Sequence, residues 1–118
     1  MGQPAGGGRD TSSPLISGSF SGTGQSAVQP FLGYFNVSIF GTFSGTVDIE
    51  KSFDNGANWL KVSVNASGSP ASYTNPVSVI VLEPESQVLY RLNCTTYTSG
   101  TINYRVSQSP SSAKAYGF

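Results

Sequence analysis

Residues 34–41, YFNVSIFG, alternate strictly: Phe35, Val37 and Ile39 share one side of an extended chain, and Asn36 and Ser38 share the other. Successive side chains of a strand point to opposite faces, so a period of two describes a strand with one face in a core and one in water. The scheme returns twice further on. Over 87–96, Val88, Tyr90, Leu92 and Cys94 oppose Arg91, Asn93 and Thr95, and over 101–108, Ile102, Tyr104 and Val106 oppose Asn103, Arg105 and Ser107. Elsewhere short apolar runs are punctuated by Gly, Ser, Asn and Pro about every eight to twelve residues, and no window shows the i, i+3, i+4, i+7 recurrence of a helix. Strands are predicted over 15–21, 26–32, 34–41, 44–53, 58–64, 72–82, 87–96 and 101–108.

That pattern makes the chain an all-β, single β-sandwich. At 118 residues it is long enough for one core and too short for two. Residues 1–14 contain Gly6, Gly7 and Gly8 in a row and two prolines, which reads as a flexible N-terminal arm. The sandwich then occupies 15–108, and 109–118 form a serine-rich C-terminal tail. Leu82-Glu83-Pro84-Glu85 followed by Tyr90 and Cys94 resembles the corner of immunoglobulin-like and fibronectin-type domains, where a tyrosine ties back to the corner backbone. Tyr90 stands four residues before Cys94 instead of two, and no earlier cysteine exists, so a disulfide-bonded immunoglobulin core is excluded. Immunoglobulin-like and jelly-roll Greek keys both remain open.

Six Lys or Arg balance six Asp or Glu, and only 10% of residues are charged. Such a surface lacks the basic field of a nucleic-acid binder. The single cysteine rules out an internal disulfide, and neither a secretory signal nor an apolar run of membrane-spanning length is present. Synthesis in a reducing cytoplasm, with no membrane partner, is the expectation. The sequons at Asn36, Asn65 and Asn93 then read as chance products of a Ser/Thr-rich chain.

Residues 52–59, SFDNGANW, match the Asp-box pattern Ser-x-Asp-x-Gly-x-x-Trp found on hairpin turns of sialidases and other glycan-handling proteins. Folding 44–53 onto 58–64 places Glu50 opposite Lys61, Ile49 opposite Val62 and Val47 opposite Val64. In that hairpin Ser52, Asp54, Gly56 and Trp59 each have a structural task. Asp54 and Asn55 bond backbone two residues on, Gly56 takes positive φ at no steric cost, and Trp59 lies across the hairpin near Ser52. None needs a substrate, so a structural hairpin turn is expected. The chain has no histidine, and Cys94 falls on an apolar face without a base, which leaves little for nucleophilic or general-base catalysis. Asp48 and Glu50, on one strand face about 7 Å apart, have the spacing of an inverting glycosidase. With Lys61 across from Glu50, they read instead as an exposed, charge-paired face. Asp54 and Asn55 lack the further acidic ligands of a calcium loop, so no metal or cofactor is expected. Six tyrosines and Trp59 could form a sugar platform, but core or interface packing is the plainer use. Phe20-Ser21-Gly22-Thr23 recurs as Phe43-Ser44-Gly45-Thr46, read as two similar turns that lead into strands.

Three stretches carry a family resemblance: Val37 to Val47 (VSIFGTFSGTV), Ser52 to Trp59, and Tyr90 to Thr95 with Thr98 to Arg105. Together with the glycine-rich arm and the disulfide-free sandwich, they make residues 34–108 resemble the small accessory virion proteins of tailed bacteriophages and their prophages, such as those that decorate or cement the head. The resemblance implies a non-enzymatic structural protein, made in the host cytoplasm and located in the virion. It also implies a homo-oligomer bound to the major capsid protein or another virion protein. A tail, neck or fibre component is the alternative within that family. A carbohydrate-binding sandwich using Trp59 and exposed tyrosines is the alternative outside it, although a glycan has no direct support. Contacts with the partner are expected from the arm, at Arg9 and Asp10, and from the tail, at Tyr116 and Phe118.

Overall fold

The computed structural model describes residues 14–63 and 70–108. Within them the chain is all-β and packs two antiparallel sheets face to face. Its strands are β1 (Leu15–Phe20), β2 (Gly24–Gln25), β3 (Gln29–Pro30), β4 (Gly33–Phe40), β5 (Phe43–Ser52), β6 (Leu60–Lys61), β7 (Ser72–Tyr73), β8 (Val77–Glu83), β9 (Leu89–Gly100) and β10 (Ile102–Ser107). One sheet has the order β1-β10-β4-β8. The other has β2-β9-β5-β6, with β3 also on β9 and β7 also on β5.

Counting β2 with β3, and β6 with β7, as two interrupted strands leaves eight positions, and their pairing is nested: first with last, second with seventh, third with sixth, fourth with fifth. A long hairpin of that kind, rolled up so that its limbs alternate between sheets, is a jelly roll. The winding is therefore the jelly roll, and the immunoglobulin-like alternative does not form.

The period-two reading holds in the long strands. Phe35, Val37 and Ile39 of β4 face inward with Val47 and Ile49 of β5, Tyr90, Leu92 and Cys94 of β9, and Ile102, Tyr104 and Val106 of β10. Phe31 stacks on Phe35 with ring centroids 4.6 Å apart, and Tyr90 meets Phe35 edge-on at 4.7 Å.

Three expected strands are interrupted, each for a local reason. Of the run 26–32 only β3 remains a strand, with β2 ending just before it, because the Ser26 hydroxyl, not a backbone carbonyl, accepts the Leu92 N–H at 2.8 Å. The run 72–82 splits at Thr74-Asn75-Pro76, since proline has no N–H for a ladder. Its first piece joins the six-stranded sheet and its second the four-stranded one. In 58–64 only β6 is a regular strand. The register of Glu50 with Lys61 is as expected, and Val62 N–H donates to the Ile49 carbonyl at 2.9 Å. Val47, however, lies between Tyr73 and Cys94, and Val64 is outside the described residues. The two Phe-Ser-Gly-Thr copies also differ: the first ends β1, and the second lies inside β5.

Candidate functional site

Leu15 pairs with Ser107, so the described chain begins and ends on neighbouring strands at one end of the sandwich. That end also holds the 53–59 turn and the 84–88 corner, because Ser52 pairs with Leu89 and Gly33 with Glu83.

The corner is closed from inside. Glu83 points between the sheets, with its side chain 2% exposed, and Lys51 of the opposite sheet donates to its Oε1 at 3.1 Å. The Tyr90 hydroxyl donates to the same oxygen at 2.7 Å, and Glu85 N–H donates to Oε2 at 3.1 Å. Tyr90 thus ties back to the corner as expected of its position, but through the Glu83 carboxylate and not a backbone group. Burial, then the hydrogen bond and charge of Glu83, push the Tyr90 phenol far above its ordinary range.

The Asp-box residues come together in one turn. Ser52 Oγ donates to Asp54 Oδ1 at 2.7 Å and accepts the N–H groups of Asp54 and Gly56 at 3.3 and 2.8 Å. Asp54 reaches four residues on, not two: Asn58 N–H donates to Oδ1 at 2.9 Å and Asn58 Nδ2 to Oδ2 at 2.7 Å. Gly56 has φ of 92° and Asn55 has φ of 60°, so the turn needs two successive left-handed residues. Trp59 Nε1–H donates to the Gly56 carbonyl at 3.1 Å, and its ring lies under Arg91, 4.1 Å from the guanidinium carbon. The tryptophan is thereby half-buried and engaged on its polar edge and one face. Phe53, 52% exposed, is the aromatic that the turn presents to solvent, with Lys51 5.0 Å from its ring centroid. Beside it a groove of about 480 Å3 is lined by Pro30, Phe53, Asn55 and residues 85–89.

Asp48 and Glu50 are not an exposed face. They are 1% and 8% exposed on the outer side of the six-stranded sheet, under long side chains from its neighbouring strands. Arg91 donates to Glu50 Oε1 at 2.8 Å and Asn93 to Oε2 at 3.1 Å, while Lys61 bridges Asp48 at 3.3 Å instead of Glu50. Asp48 Oδ1 has no hydrogen-bond partner among the described residues. Cys94 is buried and its thiol is pushed up by desolvation. Of the tyrosines, Tyr90 and Tyr104 are core residues, Tyr73 and Tyr97 are half-buried, and Tyr34 is exposed. No group of three or more His, Cys, Asp or Glu among the described residues is placed to hold a metal ion. Arg9, Asp10, Tyr116 and Phe118 lie outside the described residues.

Comparison with protein-family models, curated proteins and solved structures finds no match to this chain.

The turn carries an acid signature. Hydrogen bonds from Asn58 and Ser52 lower the Asp54 carboxyl from 3.8 to about 2. A depressed carboxylate contributes stability that is present above its unfolded value and is lost as pH falls through the folded one. Trp59 emission is therefore expected to hold steady down to about pH 4 and to change as pH falls toward 2. Asp54→Ala should give at neutral pH the emission that the parent chain shows only in acid. A Trp59 signal that is the same in both chains at every pH would sink this reading.

Proposed function

We propose that this protein is a non-enzymatic bacteriophage structural protein, best fitted to a head decoration or cement role in which it binds and stabilises the capsid lattice. The observation that carries the reading is the concentration of binding features at one end of the sandwich. Residues 1–13 and 109–118 join the described chain there, and Leu32, Tyr34 and Leu82 are exposed there at 45%, 51% and 51%, with Leu15 at 43% one row behind. A small domain that engages a repeating lattice through a patch and two terminal segments gains affinity by multivalency, without a deep pocket. The side chains a catalyst would use have other work: Glu50, Glu83 and Asp54 hold neighbouring strands or turns together. Jelly rolls recur in viral capsid and lectin domains, which supports the reading by analogy of fold alone. The partner is then the major capsid protein or another virion protein, and the protein acts as a homo-oligomer in the virion after synthesis in the host cytoplasm.

The groove beside Phe53 favours a second reading, a saccharide site in which Phe53, not Trp59, supplies the aromatic face and Asn55 and Glu85 the polar contacts.

Quantitative mass spectrometry of gradient-purified particles separates these. The lattice reading expects a fixed ratio to the major capsid subunit, and a Leu15→Asp/Leu32→Asp chain that binds particles about tenfold more weakly with an unchanged unfolding midpoint. A handful of copies per particle would mean a tail, neck or fibre position. Absence from particles would overturn the virion reading and leave the Phe53 groove to be tested with sugars.

A further inference from the structure

The two sheets finish their edges differently. In the six-stranded sheet both margins are two-residue pieces, β2 and β3 on β9 and β6 and β7 on β5, and short interrupted edges offer a neighbour few backbone groups. The four-stranded sheet ends on β8, seven residues paired with β4 from Val77↔Ile39 to Glu83↔Gly33. On its other side no described residue pairs with it. From Val77 to Leu82 the strand has no charge, proline or glycine, and Ile80 and Leu82 are 61% and 51% exposed. Its one charge, Glu83, is turned inward onto Lys51 and does not guard the edge. The devices that discourage strand addition, a lysine, a proline, a bulge or a short strand, are all missing.

A row of unpaired N–H and C=O groups is satisfied by another extended chain. We propose that β8 pairs antiparallel with β8 of a second copy about a two-fold axis at Ile80, joining two four-stranded sheets into one. This register uses the whole strand and sets Ile80 beside its symmetry mate, Ser78 beside Leu82, Val79 beside Val81 and Val77 beside Glu83. On the outer face it brings the two Ile80 side chains together between the two Leu82 side chains. Tyr34, cross-strand from Leu82, widens that apolar band in each copy. No like charges meet, because Val77 to Leu82 carries none. Ser78 is already held by Ser38 and Asn36, at 2.9 and 3.0 Å, so the polar part of the face is in place before the second copy arrives. The other open edge of this sheet, β1, is a poorer match: its middle is Ser17-Gly18-Ser19, residues of low strand propensity except where packed. Pairing β8 with β1 of a neighbour would also run head to tail and not close.

This inference gives the homo-oligomer of the virion reading a specific interface, but it does not rest on a virion location and concerns the purified chain. Sedimentation analysis should show a concentration-dependent dimer, weakened about tenfold or more by Ile80→Lys, which puts a charge on the edge, with no fall in the unfolding midpoint at low concentration. Because facing residues on paired strands have Cβ atoms about 4.5–5.5 Å apart, Ile80→Cys should give a disulfide-linked dimer under mild oxidation, with the native Cys94 buried and silent. Ser19→Cys on β1 should not. A monomer at every concentration, an unchanged dimer in Ile80→Lys, or crosslinking of Ile80→Cys to Ser19→Cys in a mixed sample would each overturn the proposal.

Discussion

Truncating Glu83 to alanine is expected to cost the fold about 2–4 kcal/mol, the penalty for leaving a buried donor unsatisfied together with the space that its own side chain vacates. Glu83 is 1% exposed and its carboxylate joins the two sheets at the end of the sandwich, so its removal strands three donors at once. Lys51 loses little, since its side chain is 25% exposed and can turn to water. The Tyr90 hydroxyl cannot, because its buried ring is fixed edge-on against Phe31 and Phe35. The expected loss therefore falls mainly on the Tyr90 contact. Removing both polar partners with groups of similar shape relieves such a penalty, so Glu83→Leu with Tyr90→Phe should cost about 1–3 kcal/mol less than the two single losses added. Urea unfolding of the four chains measures this, and additive losses would show that Tyr90 and Glu83 do not support each other.

The same contact sets the alkaline limit. The ordinary phenol value is 10.0, and in the fold Tyr90 is raised above it by burial first and by Glu83 second. A raised acid gives stability that is complete below its unfolded value and is lost as pH climbs toward the folded one. The parent chain should weaken above pH 10 more steeply than Tyr90→Phe, which has no phenol to ionise there.

How far these features were readable follows from the range of each signal. The period-two runs at 34–41, 87–96 and 101–108 are local and fix which side chains enter the core, so Phe35, Val37, Leu92 and Ile102 were legible one strand at a time. The Asp-box turn was legible too, since all its hydrogen-bond partners lie within a few residues, and only Arg91 over the Trp59 ring comes from a distant strand. The buried carboxylates were not. Asp48 and Glu50 occupy the polar positions of β5, and nothing local tells that Arg91 and Asn93 arrive beside them. That fact depends on the pairing of β5 with β9 over about forty residues of chain. Glu83 was hidden for the same reason, since its partner Lys51 belongs to the opposite sheet. The interruption of 26–32 by the Ser26 side chain also depends on a distant strand. Asn75-Pro76 was different: it is a local break, and giving it more weight than the apolar run around it would have separated β7 from β8.

The second large effect is expected where the chain changes sheets. Gly100 ends β9, and only Thr101 separates it from β10, so the crossing from the six-stranded to the four-stranded sheet takes a single residue. It does so beside the other crossing, from β4 to β5: Thr101 N–H donates to the Thr42 carbonyl at 3.2 Å, and Gly100 pairs with Phe43. Gly100 has φ of 89°, and a Cβ there would stand 2.7 Å from the Phe43 Cα and collide with the Thr42 carbonyl. Both obstacles are backbone, so no side chain can swing away. Gly100→Ala should therefore cost about 3 kcal/mol or more, combining the strain of a left-handed residue with a displaced crossing. Gly22→Ala is the matched control, since a Cβ there meets nothing within 4 Å, and its effect should stay within about 0.5 kcal/mol. Soluble yield and urea midpoints of the two variants decide the matter. If Gly100→Ala unfolds at the parent midpoint, the two crossings are not packed as tightly as described, and the jelly-roll winding would owe its sharp corner to something other than that glycine.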